Sequence, residues 1–147
     1  MHTLLVVLHV LSVVVLVGPA MLAPWLGERA LRARDGDAVH AAGRRAMALN
    51  ALTLLAAVFG ALVVSTSGEY SFGDPWLIIA STLYVIAVVN GVAVIPGALA
   101  RIGKDLQDSE GVLDGEALER HHGRLRVLSG LNLLFYGAVI VLMVWRP

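Results

Sequence analysis

Residues 3–27, TLLVVLHVLSVVVLVGPAMLAPWLG, decide the fold of this chain. The stretch contains 25 residues and has no Asp, Glu, Lys or Arg among them. A helix rises about 1.5 Å per residue, so a helix of this length can cross a hydrocarbon core of about 30 Å. The stretch therefore predicts a membrane-spanning helix.

Three further stretches without acidic or basic residues follow, at 46–68, 75–100 and 127–145, with 23, 26 and 19 residues. Helix is predicted for each, because an open strand in lipid leaves backbone groups unpaired and four segments cannot close a membrane barrel. Hydrophobic residues make up 58% of the chain and charged residues only 15%. We expect an all-α, polytopic membrane protein, a four-helix transmembrane bundle that forms a single domain over residues 1–147.

The basic residues indicate the orientation. The connections at 28–45 and 101–126 hold ten of the 11 Lys and Arg residues, whereas the connection at 69–74 has none and the tail adds Arg146. By the positive-inside rule, both long connections are cytoplasmic. We expect a multi-pass protein of the cell membrane with its N-terminus and C-terminus on the non-cytoplasmic side. Within the connections, Asp37 and Asp114 are expected to cap the helices that follow them.

Composition also excludes several functions. The 11 acidic residues balance the 11 basic ones, which gives no reason to expect nucleic acid as a partner. The absence of cysteine excludes disulfides and thiolate metal sites. Hydrolysis or group transfer of a conventional kind is not predicted, because no span pairs a nucleophile with a base and no loop carries a phosphate-binding motif.

His9 is the one ionisable residue well inside a span. An ionisable group at that depth is a candidate haem ligand, metal ligand or proton carrier. The alternative is a neutral histidine that is hydrogen-bonded to a neighbouring helix. Tyr84, Ser81 and Ser65 lie at a similar depth and are the expected partners for that structural role.

Three asparagines, Asn50, Asn90 and Asn132, occupy the second, third and fourth spans. All three fall within about 4 to 9 Å of the span midpoints on the side of the charged connections, at about 1.5 Å rise per residue. Amide side chains at this depth either join helices or line a small polar cavity. Both interpretations stay open at the level of the sequence.

A second group of histidines, His40, His121 and His122, lies in the charged connections. Neighbouring residues of a helix point about 100° apart, so His121 and His122 are poor joint ligands for one ion. A metal site shared by this group is therefore the less favoured interpretation.

Three segments carry a resemblance to a known family: LHVLSVVVLVGP at 8–19, ALV at 61–63 after a glycine, and VIPGAL at 94–99. The chain resembles, over nearly its whole length, the small bacterial integral membrane proteins labelled domain of unknown function 2269. This resemblance implies four membrane helices and no particular activity.

A more distant similarity links the chain to four-helix membrane proteins of the copper-resistance D type and the HemJ type of protoporphyrinogen oxidase. They share a histidine in the first helix that is followed by a small-residue turn, here His9 and Gly18. The similarity implies that His9 is a haem or metal ligand. No other span contains a histidine, so two histidine ligands on one haem would require a homodimer.

Three functions follow as hypotheses. The first is a haem-binding or metal-binding redox protein, with His9 as the ligand and Tyr84, Asn90 and Asn132 shaping the cofactor cavity. The second is a non-enzymatic bundle in the lipid bilayer that binds a second copy, another membrane protein or a lipid through small-residue faces. The third is a small transporter or metal-uptake protein, whose polar path would begin at His2 and His9.

Overall fold

The computed structural model describes residues 2–110 and 112–145 as four long helices. They are α1 (His2–Arg32), α2 (Gly36–Ser67), α3 (Pro75–Asp108) and α4 (Gly115–Trp145). Each is long and apolar enough to cross a membrane, and no strand occurs among the described residues. The prediction of an all-helical protein with four spans is therefore confirmed. Arg146, counted above with the basic residues, lies outside the described residues.

The helices are longer than the uncharged stretches, because they continue into the charged connections. They contain 31 to 34 residues, which corresponds to about 47 to 51 Å at 1.5 Å per residue. A hydrocarbon core of about 30 Å leaves about three to four turns of each helix outside it, at about 5.4 Å per turn. We call the end with both charged connections the charged end, and the other end the opposite end.

Aspartates cap the two helices that leave the charged connections. The Asp114 carboxylate accepts a hydrogen bond from the Ala117 N–H at 2.6 Å, as expected. The expectation for Asp37 is wrong, because α2 begins one residue before it and Asp35 is the cap, accepting from the Ala38 N–H at 2.9 Å. Arg34 has a left-handed φ of 55°, which ends α1 and places Asp35 in the extended conformation that a capping residue needs.

Both helices that run toward the charged end contain a widened turn before a proline. In α1 the π-helical segment is Val13–Val17 and Pro19 follows it; in α3 the segment is Asn90–Val94 and Pro96 follows it. Proline lacks an N–H and its ring clashes with the preceding turn, so the backbone hydrogen bonds shift to a spacing of five residues. Each proline thus follows a local widening of its helix near the middle of the span.

Packing is tight at the charged end and loose at the opposite end. The largest buried cluster lies at the charged end and joins all four helices through Leu31, Val39, Leu99 and Leu125, among others. In contrast, the first 11 residues of α1 contain no buried side chain, and the last 14 residues of α2 bury only Ala56. The charged ends of the helices therefore hold the bundle together.

Candidate functional site

His9 lies between α1 and α2, half-buried, in the half of the bundle nearer the opposite end. Its Nδ1 is 2.9 Å from the carbonyl oxygen of Ala56 on α2. The carbonyl can only accept, so His9 donates from Nδ1–H, and the tautomer with a single proton there has its lone pair on Nε2. The partner is a backbone carbonyl, and not Tyr84, Ser81 or Ser65 as the sequence suggested.

Gly60 creates the space for the His9 ring. A methyl group on Gly60 would lie 2.9 Å from His9 Cε1 and 3.2 Å from Nδ1, but 3.7 Å from Nε2. The ring therefore rests on α2 through its Nδ1 and Cε1 edge. Among the described residues, Nε2 has no hydrogen-bond partner, so the nitrogen that could bind a ligand is free.

A hydrogen-bonded network lies about one turn from Ala56 toward the charged end and joins α2, α3 and α4. The Tyr136 hydroxyl donates to Asn50 Oδ1 at 2.9 Å. The Thr53 hydroxyl lies 3.1 Å from the Tyr84 hydroxyl and 3.4 Å from that of Tyr136, and it donates to the Asn50 carbonyl at 2.7 Å. Because Asn50, Thr53 and Tyr136 are buried, these bonds replace water that the site excludes.

The widened turn of α3 receives the Asn50 side chain. A methyl group on Gly91 would lie 2.0 Å from Asn50 Oδ1 and 2.2 Å from its Cγ. Only a residue without a side chain permits this approach, so Gly91 holds the amide against α3. The side-chain amide of Asn50 makes a second hydrogen bond, from Nδ2 to the Ala46 carbonyl at 2.8 Å, which fixes the rotation of the side chain.

The other two asparagines behave differently from each other. Asn90 donates from Nδ2 to the Leu128 carbonyl at 3.1 Å and so joins α3 to α4. Asn132 is completely buried, yet neither its Nδ2 nor its Oδ1 has a hydrogen-bond partner. A buried amide without partners costs about 1–3 kcal/mol. The interior of the bundle therefore holds one amide side chain, that of Asn132, whose polar atoms are not compensated by hydrogen bonds among the described residues.

Toward the opposite end, each helix packs mainly against its hairpin partner, α1 against α2 and α3 against α4. Contacts between the two hairpins are concentrated in the charged half of the bundle. Large apolar side chains such as Val10, Val14, Leu55 and Val85 are exposed in the half toward the opposite end. In a membrane, lipid tails or an apolar ligand would cover these surfaces.

The predicted site residues therefore do not form one cluster. His9 is bonded to α2, while Tyr84 belongs to the network through Thr53. Thr53 and Tyr136 are members of the network that were not among the predicted site residues. A helical spacing identifies both, because Thr53 follows Asn50 by three residues and Tyr136 follows Asn132 by four, which places them on the same helix faces.

The histidines outside the spans lie apart from His9, and two of them, His2 and His121, contact other side chains. His2 Nδ1 lies 3.2 Å from the Thr66 hydroxyl, so His2 and His9 contact different residues of α2. At the charged end, His121 Nε2 lies 3.4 Å from the Asp105 carboxylate. No group of three or more metal-ligating His, Cys, Asp or Glu side chains occurs within residues 2–110 and 112–145.

These features define a class of protein: a multi-pass integral membrane protein of four helices with a buried polar centre. Residues 3–147 match the model of the family described as "Predicted integral membrane protein (DUF2269)", and the chain belongs to this family. The resemblance to domain of unknown function 2269 that was stated from the sequence is thereby confirmed. No curated protein and no solved structure matches the chain.

Proposed function

We propose that this membrane protein binds haem through Nε2 of His9. The observation that carries the proposal is the 2.9 Å hydrogen bond from His9 Nδ1 to the Ala56 carbonyl. Histidine residues that bind a metal usually donate a hydrogen bond from the N–H of their other ring nitrogen to a carbonyl or carboxylate. This bond fixes the tautomer and orients the ring. His9 has this arrangement within the apolar part of the chain.

The number of available ligands favours haem over a bare metal ion. A zinc site uses three or four protein ligands, and the spans contain no Cys, Asp or Glu and no histidine besides His9. Haem brings four nitrogens of its own, so a single protein nitrogen is sufficient. Bound haem would supply a one-electron redox centre inside the membrane.

The surroundings of His9 suit a large, flat and mostly apolar ligand. The half of α1 that carries His9 has no buried residue, and the two hairpins contact each other little there. Of the other candidate residues, Tyr84 and Asn90 already hydrogen-bond within the protein, so in this proposal they join helices. Asn132 has no hydrogen-bond partner, and in this proposal it is the remaining candidate to shape the cofactor cavity.

An absorption spectrum tests the proposal. Protein purified after expression with a haem precursor should show a Soret band, and His9→Ala should lose it while keeping its helical circular dichroism. His2→Ala and His40→Ala are matched controls that should retain the band. A wild-type protein without a Soret band, or a His9→Ala variant with full haem content, would refute the proposal.

A second copy of the chain is the natural source of a second histidine ligand. Because the spans contain one histidine per chain, two axial histidines require two chains for each haem. The haem-to-protein ratio separates the two arrangements, with one haem for two chains in a homodimer and one haem for each chain otherwise.

A non-enzymatic bundle that binds a second copy or another membrane protein is the alternative, and α4 provides an observation for it. Gly130 and Gly137 lie seven residues apart on one face, and a methyl group on either would meet nothing within 4 Å. Small residues let a partner helix approach closely. Gly137→Leu should dissociate such a complex in mild detergent, whereas an unchanged molecular mass would exclude an interface there.

Location in the cell membrane with both termini outside is part of the same proposal, supported by the ten basic residues of the two long connections. The absence of cysteine makes a direct test simple. An impermeant maleimide added to intact cells should label Gly73→Cys and leave Ser109→Cys unlabelled. The reverse labelling pattern would invert the topology.

A further inference from the structure

A basic cavity lies at the charged end, between α1 and α4. It has a volume of about 320 Å³ and is lined by Arg32 from α1 and by Glu119, His122, Gly123 and Arg126 from α4. It lies at the end of the bundle away from His9, so the proposed haem site does not include it.

The cavity lies at the depth of lipid headgroups. Arg126 immediately precedes the uncharged stretch of α4, and Arg32 and His122 lie five residues beyond the corresponding stretches of their helices. At 1.5 Å per residue, these positions are about 1.5 to 7.5 Å outside the hydrocarbon core. The headgroup layer occupies about 5 to 7.5 Å on each side of that core.

The arginines of the cavity are not held in ion pairs with the described residues. Arg32 and Arg126 form no ion pair with a carboxylate among the described residues, where the pair of His121 with Asp105 is the one ion pair present. His122 Nε2 is buried and has no hydrogen-bond partner. Two arginines against the single Glu119 leave a net positive site with an unused ring nitrogen.

We propose that this cavity binds the phosphate of an anionic phospholipid headgroup. Arginine forms paired hydrogen bonds with phosphate oxygens, and an Nε2–H of His122 would add a third donor. Basic pockets between membrane helices at the headgroup level are suited to anionic lipids. A lipid is favoured over a soluble phosphate because Trp25 lies seven residues before Arg32 on the same face of α1, half-exposed, where an acyl chain would pass.

Fluorescence quenching at Trp25 measures the lipid preference. Trp76→Phe and Trp145→Phe leave Trp25 as the single tryptophan of the chain. This protein is reconstituted in phosphatidylcholine vesicles that contain increasing fractions of brominated phosphatidylglycerol, and separately of brominated phosphatidylcholine. At about 1 kcal/mol per charge near the surface, the net single positive charge predicts about a five-fold preference for phosphatidylglycerol.

Variants of the cavity should change this preference in opposite directions. Arg32→Ala and Arg126→Ala should each remove the preference, and Glu119→Gln should raise it about five-fold. Arg101→Ala is the matched control, because Arg101 is exposed on α3 at the depth of Arg126 but does not line the cavity. Equal quenching by both lipids in the wild type, or equal losses in Arg101→Ala and Arg32→Ala, would overturn the proposal. Loss of the preference in millimolar inorganic phosphate would assign the cavity to a soluble anion and overturn the lipid assignment.

Discussion

Gly91→Ala should destabilise the bundle severely for so small a change. The new methyl group would lie 2.0 Å from Asn50 Oδ1, 2.2 Å from its Cγ and 2.7 Å from its Nδ2. The Asn50 amide must withdraw by more than 1 Å, since contacts shorter than about 3.4 Å are repulsive between such atoms. That movement breaks the bonds from Tyr136 at 2.9 Å and to the Ala46 carbonyl at 2.8 Å.

The magnitude follows from these losses. Overpacking of a filled interior costs about 1–3 kcal/mol. Each lost hydrogen bond adds about 0.6 kcal/mol by the average for membrane proteins and up to about 2 kcal/mol where a buried group stays unpaired. With two bonds broken, we expect Gly91→Ala to lower the free energy of unfolding by about 2–7 kcal/mol.

Unfolding in mixed micelles with increasing dodecyl sulfate, followed by circular dichroism, measures this quantity. Gly97→Ala on the same helix is the matched control, because its methyl group would meet nothing within 4 Å. The control should change stability by less than about 1 kcal/mol. In the Asn50→Ala background, Gly91→Ala should lower the free energy of unfolding by at least about 1 kcal/mol less than it does in the wild-type chain. The reason is that the Asn50 side chain, with which the new methyl group clashes, is absent. Equal stabilities of Gly91→Ala and Gly97→Ala would refute the geometry described for the α3 turn.

Three further predictions concern the interior. Tyr136→Phe should lower the free energy of unfolding in the same assay by about 0.6–2 kcal/mol, because Asn50 Oδ1 loses its donor; an unchanged value would show that the bond contributes nothing. Asn132→Leu should raise the free energy of unfolding by about 1 kcal/mol, because the buried amide of Asn132 has no hydrogen-bond partner. A loss of stability would show that the amide does form hydrogen bonds in the folded protein. Gly60→Ala should displace the His9 ring, whose Cε1 would lie 2.9 Å from the new methyl, and should reduce the Soret absorbance; full absorbance would argue against a ligand at Nε2.

The predicted polar groups of the interior were recognisable from the sequence as residue types, but their partners were not. His9, Asn50, Asn90 and Asn132 stand out because polar side chains are costly in an apolar span. Which helix each one faces depends on helix rotation. In a span that is apolar on all sides, hydrophobic periodicity does not report that rotation. His9 was therefore assigned three side-chain partners, whereas it bonds to a backbone carbonyl that no sequence pattern marks.

The sequence by itself determined the number of helices, their approximate spans and their membrane setting. The physical reason is that the exclusion of charge from 30 Å of hydrocarbon is a local property of about 20 consecutive residues. The tertiary structure alone decided the contacts. His9 Nδ1 bonds to the Ala56 carbonyl and leaves Nε2 free, the Asn50 amide packs against Gly91, and Arg32 and Arg126 line one cavity. These contacts join residues from 41 to 94 positions apart, and only the packing of the helices brings such residues together.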